Sequence, residues 1–195
     1  MTYSIVALDP KKKILVVGVA SGSKAVGTRV PWVKRLVGAV ATQGYTNIMY
    51  GVEGLKLLEQ GYSPEEALKA LINVDSSPEL RQVAMMDMKG RKAVHTGSRC
   101  PDYKGHVVGR NFIVIGNLLR GPKVIESVVE VLEESRGDII EIVLEALLVG
   151  EKAGGDARGD LSASIVAAGY GVDLSLRVDE SKYPVRELIK KYRTR

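Results

Sequence analysis

The stretch TYSIVALDPKKKILVVGVAS, residues 2–21, decides the fold. Two apolar runs rich in β-branched residues, 2–8 and 14–21, flank the polar segment Asp9-Pro10-Lys11-Lys12-Lys13. Strand, tight turn, strand is the signature of an antiparallel hairpin, not of the strand-helix-strand unit that builds parallel sheets. The same pattern returns further along, with strands expected at 37–42, 80–87, 91–96, 111–116, 162–168 and 172–178. Met88-Lys89-Gly90 supplies the turn of a second hairpin, and the segment around Pro31 and Trp32 reads as a loop.

Helices fall between the groups of strands. One is expected near 51–60, and a second starts at Ser63-Pro64-Glu65-Glu66, where Ser63 caps, Pro64 fits the first turn and Glu66 completes a capping box. Val124, Val128, Val131 and Leu132, then Ile139, Ile142, Val143, Ala146 and Leu147, recur at helical spacing and predict another pair, broken at Gly137 and capped by Asp138. A short helix follows Pro184. Helix pairs placed between groups of antiparallel strands can cover the outer faces of two packed sheets. The expectation is an α+β fold, a four-layer αββα sandwich of two antiparallel sheets in a single domain over residues 1–195.

Composition narrows the function classes. At 45% apolar residues the 195-residue chain can bury a sizeable core. No run approaches the roughly 20 apolar residues of a membrane span, and the beginning has no secretory-signal pattern, so the expected location is cytoplasmic, with no membrane partner. Cys100 is the only cysteine and excludes an internal disulfide. The net charge of +5 is spread among 23 acidic residues, and the basic tail lacks interleaved aromatic rings, which argues against nucleic acid as a partner. His95, Cys100 and His106 match no compact zinc pattern, and neither a phosphate-binding loop nor a dinucleotide fingerprint occurs. No metal and no cofactor is expected.

Thr2 carries the sharpest chemistry. Removal of Met1, which the small neighbouring residue permits, would leave a hydroxyl and a free α-amine on one residue. An uncharged amine, with an ordinary pKa of roughly 7.7–8.0, can take the hydroxyl proton and make the oxygen a nucleophile. The plain alternative is a threonine that merely opens a strand. Away from the N-terminus, Gly154-Gly155-Asp156-Ala157-Arg158-Gly159 ends a helix with glycines, after which Asp156 and Arg158 either clamp the loop or grip a substrate. Ser162 follows at a strand start, Asn117 after Gly116 either orients a substrate amide or ends a turn, and His95 either lines a cleft or is a structural histidine.

These stretches, with Val30-Pro31-Trp32, Gly38-Ala39-Val40-Ala41-Thr42-Gln43, Leu80-Arg81-Gln82, His95-Thr96-Gly97 and Gly116-Asn117-Leu118-Leu119, resemble the DUF1028 family of the N-terminal nucleophile (Ntn) hydrolase superfamily. The resemblance spans residues 2 to about 168 and implies the αββα fold and an amide-bond hydrolase of unknown substrate. By resemblance to proteasome-like members, Thr2 is the nucleophile, Lys34 the cation that lowers the amine's pKa, and the Gln43 and Gly44 backbone the oxyanion hole. Thr42 is then a substrate contact. Ala20-Ser21-Gly22 departs from proteasome subunits, which carry an aspartate just after the second strand. The expected partner is a small-molecule or peptide-like amide substrate, with a homo-oligomer in keeping with the fold. The alternative function is a non-catalytic small-molecule-binding protein on the same fold.

Overall fold

The computed structural model describes residues 2–195; Met1, whose removal the nucleophile reading requires, lies outside the described residues. The opening hairpin forms from β1 (Thr2–Asp9) and β2 (Ile14–Ser21), paired antiparallel from Thr2↔Ser21 to Asp9↔Ile14. Asp9 Oδ1 accepts the N–H groups of Lys11 and Lys12, each at 2.9 Å, so the carboxylate caps its own turn. The other strands are β3 (Pro31–Lys34), β4 (Gly38–Gly44), β5 (Arg81–Asp87), β6 (Lys92–Thr96), β7 (Gly105–Val108), β8 (Phe112–Asn117), β9 (Ser162–Gly169) and β10 (Val172–Val178). The α-helices are α1 (Met49–Glu59), α2 (Pro64–Val74), α3 (Lys123–Glu134), α4 (Ile139–Lys152) and α5 (Pro184–Arg193).

The strands make a six-stranded sheet in the order β10-β9-β2-β1-β8-β7 and a four-stranded sheet in the order β3-β4-β5-β6. Every pairing is antiparallel. Three apolar clusters fill the three spaces between four layers. Val6, Leu8, Val17 and Val19 meet Ala39, Ala41, Ala84 and Met86 between the two sheets. Tyr3, Ile5, Ala7 and Val16 pack under Val124, Val128, Val143, Leu147 and Leu188 of α3, α4 and α5. Val40, Val83 and Met85 pack under Tyr50, Leu58, Ala67 and Leu68 of α1 and α2. Along β1 the two-residue alternation therefore sends odd-numbered side chains to the helices and even-numbered ones to the other sheet. Burial at roughly 1.5–3 kcal/mol per large aliphatic side chain makes this register costly to slip.

The αββα architecture is the expected one, and its helix caps form as the sequence indicates. Ser63 Oγ accepts the Glu66 N–H at 3.2 Å while Glu66 Oε2 accepts the Ser63 N–H at 2.7 Å. Asp138 Oδ1 accepts the Ile140 N–H at 2.9 Å and the Glu141 N–H at 3.3 Å. Two strands differ from expectation. The segment around Pro31 and Trp32 is the edge strand β3, where a leading proline costs no ladder bond, and β7 is a second four-residue edge strand. Both are too short to show alternation in the sequence. Among the described residues, no helix is long and apolar enough to cross a membrane.

Candidate functional site

The space between the sheets is apolar along most of its length and polar at one end. The even positions of β1 run Leu8, Val6, Ser4, Thr2, so the change happens within one strand. Thr2, Ser4, Ser21, Gln43, Gln82, Asn117 and Ser162, from β1, β2, β4, β5, β8 and β9, are all buried there. Burying so many polar groups is tolerated only if they satisfy one another.

Gln82 is the hub of that satisfaction. Its Oε1 accepts from Gln43 Nε2 at 2.8 Å and from Asn117 Nδ2 at 2.9 Å. Its Nε2 faces Thr96 Oγ1 at 3.1 Å, the Gly105 carbonyl at 3.1 Å and the Gly116 carbonyl at 2.9 Å. Gln43 in turn donates to the Thr2 carbonyl at 3.0 Å, and its Oε1 accepts from Ser4 Oγ at 2.5 Å. Thr2, 5% exposed, has its hydroxyl 3.0 Å from Ser21 Oγ, which also accepts the Ser23 N–H at 3.1 Å. Asn117 lies directly across from Thr2 on β8, and its buried Oδ1 has no hydrogen-bond partner among the described residues.

Gly44 ends β4 at this end, with φ +84°. A Cβ there would stand 2.6 Å from the Leu80 carbonyl oxygen, so the position requires glycine. The Thr42 N–H, two residues back, points away from β5 to the Val30 carbonyl. By strand alternation the Gly44 N–H points the same way, beyond the last β3 register pair, Pro31↔Ala41. An N–H directed past the end of a strand is the kind of donor that can meet an oxyanion.

Beside this layer, residues 153–161 carry a buried ion pair. Asp156 accepts from Arg158 Nε at 3.0 Å, Arg158 Nη2 at 3.0 Å, the Arg158 N–H at 3.0 Å and the Gly22 N–H at 2.8 Å. Burial alone pushes the Asp156 carboxyl up, but the Arg158 fork and the backbone donors win and hold it below the ordinary carboxylate range. Arg158 is half-exposed and also reaches Ser23 Oγ at 3.3 Å. Ser162 donates to the Ser23 carbonyl at 2.5 Å and accepts the Val26 N–H at 3.1 Å, which fixes the chain just past β2.

Of the residues singled out in the sequence, Thr2, Gln43, Gly44, Asn117, Asp156, Arg158 and Ser162 thus meet at one end of the sandwich. Lys34 does not. It pairs with Gly38 at the opposite end of β4, five residues and about 16 Å along the strand from Gln43, and its Nζ binds Glu59 Oε2 at 2.6 Å. Thr42 and His95 project to the helix side of their sheet. Thr42 Oγ1 donates to the Asn47 carbonyl at 3.1 Å, and His95 Nε2 lies 2.8 Å from the Pro78 carbonyl. Ser4, Ser21 and Gln82 were not anticipated. The signal for Ser4 was a second polar residue at an even position of an otherwise apolar strand. Ser21 stands opposite Thr2 at the end of β2.

A family model described as "Family of unknown function (DUF1028)" matches residues 2–188. The chain belongs to the DUF1028 family. No curated protein matches it. Its structure is similar to the crystal structure of protein SPO2555 from Silicibacter pomeroyi, assigned to DUF1028, with TM-score 0.93 and 32% identity over 99% of this chain and 85% of that one. It is also similar to eukaryotic HslV from Trypanosoma brucei, with TM-score 0.50 and 13% identity over 86% of this chain and 99% of that one. Anbu (ancestral beta-subunit) from Yersinia bercovieri is a more distant likeness, with TM-score 0.47 and 10% identity over 99% of this chain and 94% of that one. The DUF1028 chain accordingly has an Ntn-hydrolase-like fold.

Proposed function

We propose that this protein is an Ntn-type amidohydrolase acting from Thr2 once Met1 is removed. The observation that supports the reading is the place of Thr2, buried at the first position of β1 at the polar end of an Ntn-hydrolase-like sandwich, with its carbonyl held by Gln43, the residue before Gly44. The Thr2 oxygen attacks the amide carbonyl carbon, and its proton passes to the α-amine. The Gly44 N–H faces the resulting oxyanion. The C–N bond then breaks, the leaving amine takes the proton back from the α-ammonium, and water hydrolyses the ester to free Thr2 and a carboxylic acid. Gln43, through the Thr2 carbonyl, holds β1 in place during these steps. With Lys34 engaged by Glu59, the half-exposed guanidinium of Arg158, held at this end by Asp156, is suited to an anionic group on the substrate. A homo-oligomer belongs to the same reading.

The test is the intact mass of the protein from its native source, followed by a panel of aminoacyl and peptidyl coumarin amides. The expected result is a chain beginning at Thr2 that releases aminocoumarin, with release abolished in Thr2→Ala. A retained Met1, or release undiminished in the variant, overturns the reading. Saturable binding without release selects the non-catalytic binding protein instead.

A further inference from the structure

Residues 153–161 leave α4, cross the end of the six-stranded sheet and enter β9. Their outer side is paired to the chain after β8: the Arg120 N–H donates to the Gly155 carbonyl at 3.1 Å and the Ala157 N–H to the Leu118 carbonyl at 2.9 Å. Their inner side rests on Asp160. Asp160 Oδ1 accepts the Asp156 N–H at 3.2 Å, and Oδ2 lies 3.3 Å from Tyr3 Oη. A Cβ at Gly155, where φ is +51°, would stand 2.3 Å from Asp160 Oδ2, so the carboxyl is tucked against the loop's own backbone.

Counting protons shows what state this contact requires. Tyr3 has one hydroxyl proton and two neighbouring acceptors, the Leu147 carbonyl at 2.8 Å and Asp160 at 3.3 Å. With the proton on the shorter contact, an ionised Asp160 would face the Tyr3 oxygen lone pair to lone pair. A proton on Asp160 turns the same contact into a hydrogen bond donated to Tyr3 Oη. We propose that protonated Asp160 is a latch that fastens the Asp156–Arg158 loop to Tyr3, the neighbour of Thr2 on β1, and that loss of the proton loosens the loop. The latch itself stands without the amidohydrolase reading; its regulatory meaning rests on that reading.

The surroundings favour the protonated form. The titratable groups that face Asp160 are Tyr3 from β1, Glu151 from α4 and Asp156 from its own loop, none of them a cation. Burial first, then the charges of Glu151 and Asp156, push the carboxyl up to about 7 against the pull of the Asp156 N–H and of the Tyr3 hydroxyl. Glu151 is itself pushed up by burial, with the Val185 N–H, Arg186 and Lys152 pulling it down. Around neutral pH the loop thus passes from latched to unlatched, and with it the grip of Asp156 on the Gly22 N–H beside Ser21.

Amide hydrogen exchange over residues 153–161 at pH 5.5 and 8.5, corrected for the intrinsic rate, tests this without any substrate. The wild-type chain should lose protection roughly 30-fold at pH 8.5, the factor set by 1.5 pH units above the titration point. Asp160→Asn, whose amide donates to Tyr3 and accepts from the Asp156 N–H, should keep the same protection at both pH values, and Asp160→Ala should lose it at both. Equal wild-type protection at the two pH values, or an Asn variant that loosens like the wild type, overturns the proposal. Should the variants fail to fold, the carboxyl ¹³C shift of wild-type Asp160 decides: titration near 7 supports the latch and an ordinary value near 4 refutes it. A failed amide screen leaves this readout untouched, so the two proposals fail separately.

Discussion

Replacing Gln82 with leucine tests whether the polar end of the sandwich is a single hydrogen-bonded unit. Leucine nearly conserves the volume but removes both halves of the amide. Asn117 Nδ2 loses its acceptor, and Gln43 Nε2 keeps the Thr2 carbonyl for one proton and loses the partner of the other. Two buried donors left unpaired cost roughly 1–3 kcal/mol each, and the added apolar surface returns about 1 kcal/mol. The expected net loss is about 3 kcal/mol, which a urea slope of about 2 kcal/mol/M converts into a midpoint about 1.5 M lower. Urea unfolding followed by circular dichroism measures it. Adding Asn117→Leu removes one of the orphaned donors, so the double variant should lose less than the sum of the single losses. A Gln82→Leu loss below about 1 kcal/mol, or strict additivity with Asn117→Leu, refutes the hub.

Asp160 should also shape stability against pH. Its folded value of about 7 lies above the ordinary value of about 3.9, so its contribution is complete below pH 4 and is lost as pH rises to 7, an upper figure of about 4 kcal/mol that Asp160→Asn should abolish in urea titrations across that window. Gly51→Ala puts a methyl group 2.4 Å from the ring of Trp32, the only tryptophan, so it should cost about 1–3 kcal/mol and shift the intrinsic fluorescence; an unshifted spectrum would show that the ring does not pack there. Asp138→Ala should cost about 1 kcal/mol in the same unfolding assay through loss of the α4 cap. Lys34→Ala should change stability by less than about 0.5 kcal/mol and leave any Thr2-dependent turnover intact, because its ammonium pairs with exposed Glu59; lost turnover would return Lys34 to the site.

What the sequence shows reliably is what neighbouring residues determine together. The hairpin at 2–21, the Ser63 capping box and the Asp138 cap each rest on contacts within a few residues, so their signatures survive in the bare chain. The ordered motifs from Thr2 to Gly159 added the family. Short edge strands such as β3 and β7 stay hidden because four residues hold too few alternations and their pairing depends on a partner far along the chain.

The site divides along the same line. That Thr2, Gln43, Asn117 and Asp156 carry chemistry-bearing groups is written in the sequence. Which of them meet was decided by the packing of two sheets, whose register turns Gln43 and Gln82 inward and Thr42 and His95 outward, one register position apart in each case. Lys34 is five register positions too far, a distance set by the β3–β4 pairing and invisible along the chain. The proton on Asp160 belongs wholly to the tertiary structure, since only burial among Tyr3, Glu151 and Asp156 makes an ordinary aspartate hold its proton near neutral pH. Local sequence selects the residues; the long-range burial that the fold imposes selects their neighbours and their charge.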